Sequence, residues 1–192
     1  MFSGPAPAAG RRRPASRVSR RAKPPARTWR SPRWLLVLSL LTAPLSAAER
    51  VAPGDPVPAC AALDEAQRAA YAGRVTVIDF WASWCPPCRK LMPLLDELRS
   101  ARAADGLAVV AINVDEQRRD AERFLSRVAV GYPVVFDPAG HCPAAFGVPG
   151  MPTTYLVDRR GIVRRVHSGF RERDAQALVT AIDTLLAEPA HE

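Results

Sequence analysis

Residues 77–88 read Val-Ile-Asp-Phe-Trp-Ala-Ser-Trp-Cys-Pro-Pro-Cys, and no other stretch limits the fold as much. An apolar, β-branched run ends in two tryptophans. Two cysteines then stand three positions apart, where a helical pattern begins. Thiols at i and i+3 in the first turn of a helix are close enough to share a disulfide. The free N–H groups and dipole of that turn favour the thiolate of the first, Cys85. The stretch therefore demands a buried strand that feeds directly into a helix.

The flanking sequence extends that pattern. Residues 49–59 hold three prolines and a glycine and read as an extended lead-in. Leu63–Tyr71 reads as a short Ala-rich helix, closed by Gly73. Arg74–Trp81 reads as a central strand buried on both faces. From Pro86 to about Ala103, Leu91, Leu94, Leu95 and Leu98 recur at helical spacing, with Pro93 expected to kink the helix. Leu107–Val114 is a second buried strand ended by Asp115, and Arg118–Val128 is an amphipathic helix. Tyr132–Phe136 is a short strand, followed by the turn at Asp137–Gly140 and a short helix around Ala144–Phe146. Thr153–Asp158 and Ile162–Phe170 form a hairpin across Asp158-Arg159-Arg160-Gly161, whose arginines read as a solvated edge. A last helix over Arg173–Ala187 buries Leu178, Val179, Ile182, Leu185 and Leu186. Strand–helix alternation followed by a hairpin and a helix predicts an α/β domain, a central mixed β-sheet with helices on both faces.

Charge bears on partners. The chain carries a formal +8, yet residues 1–33 hold ten Lys/Arg and no Asp/Glu, leaving 17 basic against 19 acidic residues in the rest. The basic excess is a tail, which argues against a nucleic-acid-binding domain. An apolar run from Trp34 to Ala48 follows, interrupted by Pro44 and shorter than the ~20 residues that span a bilayer. With small residues at Ser46, Ala47 and Ala48, segment 1–48 reads as an export signal cleaved after Ala47 or Ala48, or alternatively as a retained anchor. Segment 49–62 then forms the lead-in and 63–188 the folded domain. An exported chain makes disulfides chemically available to all four cysteines, Cys60, Cys85, Cys88 and Cys142. Cys60 and Cys142 either bridge or remain free as small buried apolar residues. His141 beside Cys142 makes a poor metal pair, because adjacent residues project differently.

Alone, a C-x-x-C could be half of a zinc site or a structural staple. A bridge closing so short a loop constrains little unfolded-chain entropy, which argues for redox use. Further features narrow the choice. Pro93 lies five residues beyond Cys88, Phe136-Asp137-Pro138 precedes Gly150-Met151-Pro152-Thr153-Thr154, and Leu156–Gly161 forms the hairpin. Together they resemble the thioredoxin superfamily, over about residues 54–187, and within it the exported TlpA/ResA/CcmG-like thiol–disulfide oxidoreductases.

That resemblance implies a thioredoxin fold with the small strand and helix insertion of this branch. It implies that Cys85, the more exposed thiol, attacks a partner disulfide and that buried Cys88 resolves the mixed disulfide. It implies a cis Pro152 facing the cysteines, with the Met151 backbone open to a substrate strand. Trp84, Pro86, Pro87, Met151 and Pro152 are the expected substrate-binding set, although Trp81 and Trp84 also read as packing around the site. Asp79, six residues before Cys85, matches a buried acid that relays a proton to the resolving cysteine; the bland alternative is a hydrogen-bonded strand residue. Thioredoxins pair that acid with a lysine, and Ala111 stands at the matching place here. No cofactor and no metal are implied. The partners implied are disulfide-bearing proteins in a periplasmic space, such as apocytochrome c or copper-site assembly proteins. A membrane thiol donor of the DsbD/CcdA kind would supply electrons. Rival readings are a copper-handling chaperone using Cys85, Cys88 and His141 or His167, and a disulfide oxidase on the same fold.

Because Pro86 and Pro87 lack N–H groups, two donors that could solvate a Cys85 thiolate are missing. A thiolate less stabilised in this way points to a reductant.

Overall fold

The computed structural model describes residues 50–189. Five strands form one sheet: β1 (Val75–Trp81), β2 (Leu107–Asn113), β3 (Val134–Phe136), β4 (Thr153–Val157) and β5 (Val163–Ser168). Their spatial order is β3-β2-β1-β4-β5, with β1 and β2 parallel, β2 and β3 parallel, and β4 antiparallel to both β1 and β5. The helices are α1 (Glu65–Tyr71), α2 (Pro86–Arg102), α3 (Arg118–Leu125), α4 (His141–Phe146) and α5 (Ala175–Ala187). This is the mixed sheet the alternation predicts, with β3 and α4 as the short insertion before the hairpin. Among the described residues no helix is long and apolar enough to cross a membrane.

Every residue of β1 and β2 is buried, because both faces of the sheet are covered. Successive side chains then serve two different cores. Val75, Val77 and Trp81 face Leu91, Met92, Leu95 and Leu98 of α2 and Leu178, Ile182 and Leu185 of α5. Ile78 and Phe80 face the other way, onto Leu63, Phe146 and Tyr155. In that second core Phe80, Phe146 and Tyr155 pack edge to face, with centroids 4.9–5.8 Å apart. Met92, outside the leucine stripe, is fully buried, while Leu94 is only half-buried.

Several elements differ in detail from expectation, each for a physical reason. α4 starts at His141 rather than near Ala144, because the buried Asp137 carboxylate accepts the His141 and Cys142 N–H groups at 3.2 and 2.6 Å. α5 is preceded by a 3₁₀ turn over Glu172–Asp174, so the α-helix begins two residues late. The hairpin turn is more than a solvated edge. Arg159 is half-buried and donates to the carbonyls of Gly73, Asp105 and Leu186 at 3.2–3.4 Å, joining three segments at the pole where β1 begins. Asp158 is buried beneath it and accepts the Arg160 and Ile162 N–H groups at 2.9 and 3.0 Å.

The lead-in is extended but belongs to the folded unit. Gly54 N–H donates to Val163 O and Val163 N–H to Asp55 O, both at 2.8 Å, and Val57 N–H donates to Gly161 O at 3.0 Å. These bonds cover part of the free edge of β5. A disulfide joins Cys60 to Cys142, which settles the alternatives for that pair in favour of the bridge. The expected export segment 1–48 lies outside the described residues.

Candidate functional site

The site lies where β1 ends. Asp79 and Phe80 of β1 pair with Thr154 and Thr153 of β4. Antiparallel register therefore sets Pro152, the residue before Thr153, beside the last residue of β1 and the loop that leads to Cys85. The Met151–Pro152 peptide is cis, as the resemblance implies. Met151 packs against the cores on both faces of the sheet. The loop before it is open to solvent at Pro149 and Gly150.

Cys85 caps α2 in extended conformation, and Cys85 and Cys88 are joined as a disulfide. The Cys85 sulfur accepts one backbone N–H, from Cys88 at 3.3 Å; Pro86 and Pro87 have none to offer. In this disulfide state the expected difference in exposure is almost absent, with Cys85 2% and Cys88 0% exposed. Packing of the 82–85 turn onto the α2 core shields the first sulfur as well. The exposed group is the neighbour, Trp84, at 65%. Trp81 is wholly buried and stacks obliquely on Phe124, so only one of the two tryptophans packs inside. Trp84 and Pro86 are exposed, Pro87 and Met151 half-buried and Pro152 buried, and Met151 packs against the core that holds both cysteines.

A carboxylate absent from the sequence-based set holds the turn before Cys85. Asp115, 3% exposed, accepts the Ser83 N–H at 3.0 Å, the Ser83 hydroxyl at 3.0 Å and the Asn113 amide at 2.8 Å. The Asn113 side chain in turn accepts the Asp115 N–H at 3.1 Å. Trp81 O accepts the Val114 N–H at 3.0 Å. The sequence signal was present as Asn-x-Asp at the end of a buried strand, but it reads equally well as a strand terminator.

Asp79 is fully buried on the α2 side of β1, between Ala111 and Thr154 on the neighbouring strands. The Thr154 hydroxyl donates to Asp79 Oδ1 at 2.8 Å, and Oδ2 has no partner among the described residues. Burial pushes the carboxyl up to about 7, against a smaller lowering by the Thr154 bond. Tyr132 is buried nearby and donates to Met92 O at 3.2 Å. Burial and then the Asp79 and Asp96 charges hold its phenol well above the usual range. Ala111 stands beside Asp79 on β2, and no residue of β2 is cationic, so nothing on that strand offsets the Asp79 charge.

His141 is exposed, while its neighbour Cys142 is buried in the second disulfide. His167 lies 3.8 Å from Asp174 at the edge of the sheet.

The family profile described as Redoxin matches residues 52–182. The thiol-disulfide oxidoreductase ResA of Geobacillus thermodenitrificans is 34% identical over 99 residues, which cover 52% of this chain and 57% of that one. The thiol:disulfide interchange protein CycY of Rhizobium leguminosarum bv. viciae is 38% identical over 125 residues, 63% of this chain and 65% of that one. The chain thus spans a little over half the length of these curated relatives. A crystal structure described as thiol:disulfide interchange protein DsbE from Chlorobium tepidum superposes with a TM-score of 0.67 at 39% identity, covering 71% of this chain and 99% of that one.

The Asp79 environment has a consequence for stability. Folding raises its pKa from 3.8 to about 7, so between those values the folded chain keeps a proton that the unfolded chain has released. Stability falls as pH rises through that window and levels off above it, by on the order of 4 kcal/mol in total. Urea titrations of Asp79→Asn at about pH 8 should find it more stable than the parent chain, with the difference shrinking toward about pH 4.

Proposed function

We propose, for a chain that belongs to the Redoxin family, that its activity is thiol–disulfide exchange with Cys85 and Cys88 as the reacting pair. One observation carries this reading: the two cysteines form a disulfide at the start of α2, in the core against which Met151, next to the cis Pro152, packs. The relatives' names, thiol-disulfide oxidoreductase and thiol:disulfide interchange protein, support it.

In the reducing direction the Cys85 thiolate attacks one sulfur of a partner disulfide. The partner's other sulfur leaves as a thiolate and takes a proton, and a mixed disulfide on Cys85 results. Cys88, deprotonated, then attacks the Cys85 sulfur. The second partner sulfur leaves, the Cys85–Cys88 disulfide forms, and two electrons have passed to the partner. Asp79 is the proposed acceptor of the Cys88 proton. It is buried, nearly without hydrogen bonds, and titrates close to neutrality, so both of its protonation states are accessible. Trp84, Pro86, Pro87, Met151 and Pro152 are the proposed contacts for the partner chain.

The finer reading is a periplasmic reductant, with segment 1–48 as export signal or anchor and 63–188 as the working domain. Its proposed clients are proteins such as apocytochrome c or copper-site assembly factors. A membrane thiol donor of the DsbD/CcdA kind would re-reduce the pair. The direction rests on the single N–H at the Cys85 sulfur, because a poorly stabilised thiolate makes the disulfide the favoured form and the dithiol a reductant.

Three measurements test this. Cys88→Ala should accumulate a covalent, reductant-sensitive mixed disulfide with client proteins through Cys85; a variant that captures none overturns the protein-disulfide reading. Thiolate absorbance of the reduced chain should give a Cys85 midpoint near ~7, and a midpoint below about 5 would reverse the assigned direction. Asp79→Asn should slow resolution of a preformed mixed disulfide by about a hundredfold, and an unchanged rate removes Asp79 from the mechanism.

A further inference from the structure

The second disulfide lies on the far side of the sheet from the first. Cys142 and Phe146 belong to the core that contains Phe80 and Tyr155, and half-buried Cys60 packs against it. Cys85 and Cys88 belong to the core beneath α2. Yet the element pinned by Cys142 runs directly into the loop that reaches the site. α4 ends at Phe146, and residues 147–152 follow without a break to Met151 and Pro152.

The lead-in holds that element at both ends. At the α4 start, Cys142 is bonded to Cys60 and its N–H donates to Asp137. At the α4 end, Phe146 O accepts the Val51 N–H at 3.1 Å and the Tyr155 hydroxyl at 3.2 Å. The lead-in backbone lies hard against the first loop residue: a Cβ on Gly147 would stand 2.8 Å from the Arg50 Cα, and Gly147 has φ +63°. Only glycine accommodates both the positive φ and that approach. The loop's far end is tied down by Gly169 N–H to Pro152 O at 2.7 Å and by the Thr153 hydroxyl to Gly150 O at 2.7 Å. Pro149 and Gly150, between these anchors, face solvent.

We propose that residues 50–60 and the Cys60–Cys142 disulfide act as a strap that positions the Met151–Pro152 loop for an extended peptide flanking the partner's disulfide. This inference rests on the thiol–disulfide exchange reading above. Cys60 and Cys142 are positioning residues: they touch neither reacting sulfur and act through α4 and its loop. Cys60 and Cys142 belong to the core on the opposite face from Cys85 and Cys88, and the Met151–Pro152 loop, which packs against both cores, is the route by which they act. The strap therefore governs recognition of a protein substrate and not the reactivity of the dithiol.

The experiment compares the parent chain with Cys60→Ala/Cys142→Ala and, separately, with Val51→Pro, which deletes the N–H bonded to Phe146 O while keeping the bridge. Each is assayed on insulin with dithiothreitol as electron source and, after reduction and removal of dithiothreitol, on the small disulfide dithiobis-nitrobenzoate, which free dithiothreitol would itself reduce. Both variants should raise KM for insulin, by about tenfold or more for the double variant, with the rate on the small disulfide unchanged. If the double variant does not fold, Val51→Pro decides. Folded variants with unchanged KM for insulin overturn the strap, as does an equal loss on both substrates, which marks a purely structural bridge. A parent chain that reduces neither substrate overturns the exchange reading itself and the strap with it.

Discussion

The pairing of β1 with β4 is the constraint on which the site depends. One strand runs toward the cysteines and the other away from the proline loop, and their register brings the end of the first beside the start of the second. Neither segment could reach the other through local geometry, since Cys88 and Pro152 are far apart in sequence. The same register sets Thr154 opposite Asp79, so the buried acid receives its one hydrogen bond from the strand that also carries the loop. A slip of one residue would turn Asp79 and Trp81 to the other face and dismantle both cores together.

The buried carboxylates show how unevenly the fold treats negative charge. Asp115, Asp137 and Asp158 each accept backbone N–H groups and organise the chain around themselves: the turn before Cys85, the start of α4 and the hairpin turn. Burial alone would raise the Asp158 carboxyl. The Ile162 and Arg160 N–H groups, with the Arg164 and Arg160 side chains, instead hold it below its usual value. Asp79 has a hydroxyl on one oxygen and nothing on the other. Three acids are therefore anchors of the backbone, while the fourth is buried with one hydrogen bond and its carboxyl is pushed up to about 7.

Much of this was legible in the sequence, because the strands are β-branched runs and α2 carries its leucines at helical spacing. The cis proline and the buried acid were legible through resemblance, which supplies the contact between distant segments that periodicity cannot. What was not legible depends on where side chains end up in space. Arg159 reaches three carbonyls contributed by three separate segments. Asp115 meets Ser83 only because β1 and β2 lie parallel and end together. Two tryptophans three residues apart look equivalent on paper, and only the chain's turn at Ala82 sends one into the core and the other into solvent.

The two disulfides are nested, with Cys85–Cys88 lying inside the interval closed by Cys60 and Cys142. A chain that trades disulfides carries the risk of attacking its own. Exchange needs the incoming thiolate in line with the bond it breaks, and here the two pairs belong to cores on opposite faces of the sheet. The sheet is thus an insulator as well as a scaffold: under the proposed exchange, one pair would cycle between oxidised and reduced forms while the other, across the sheet, keeps its pairing.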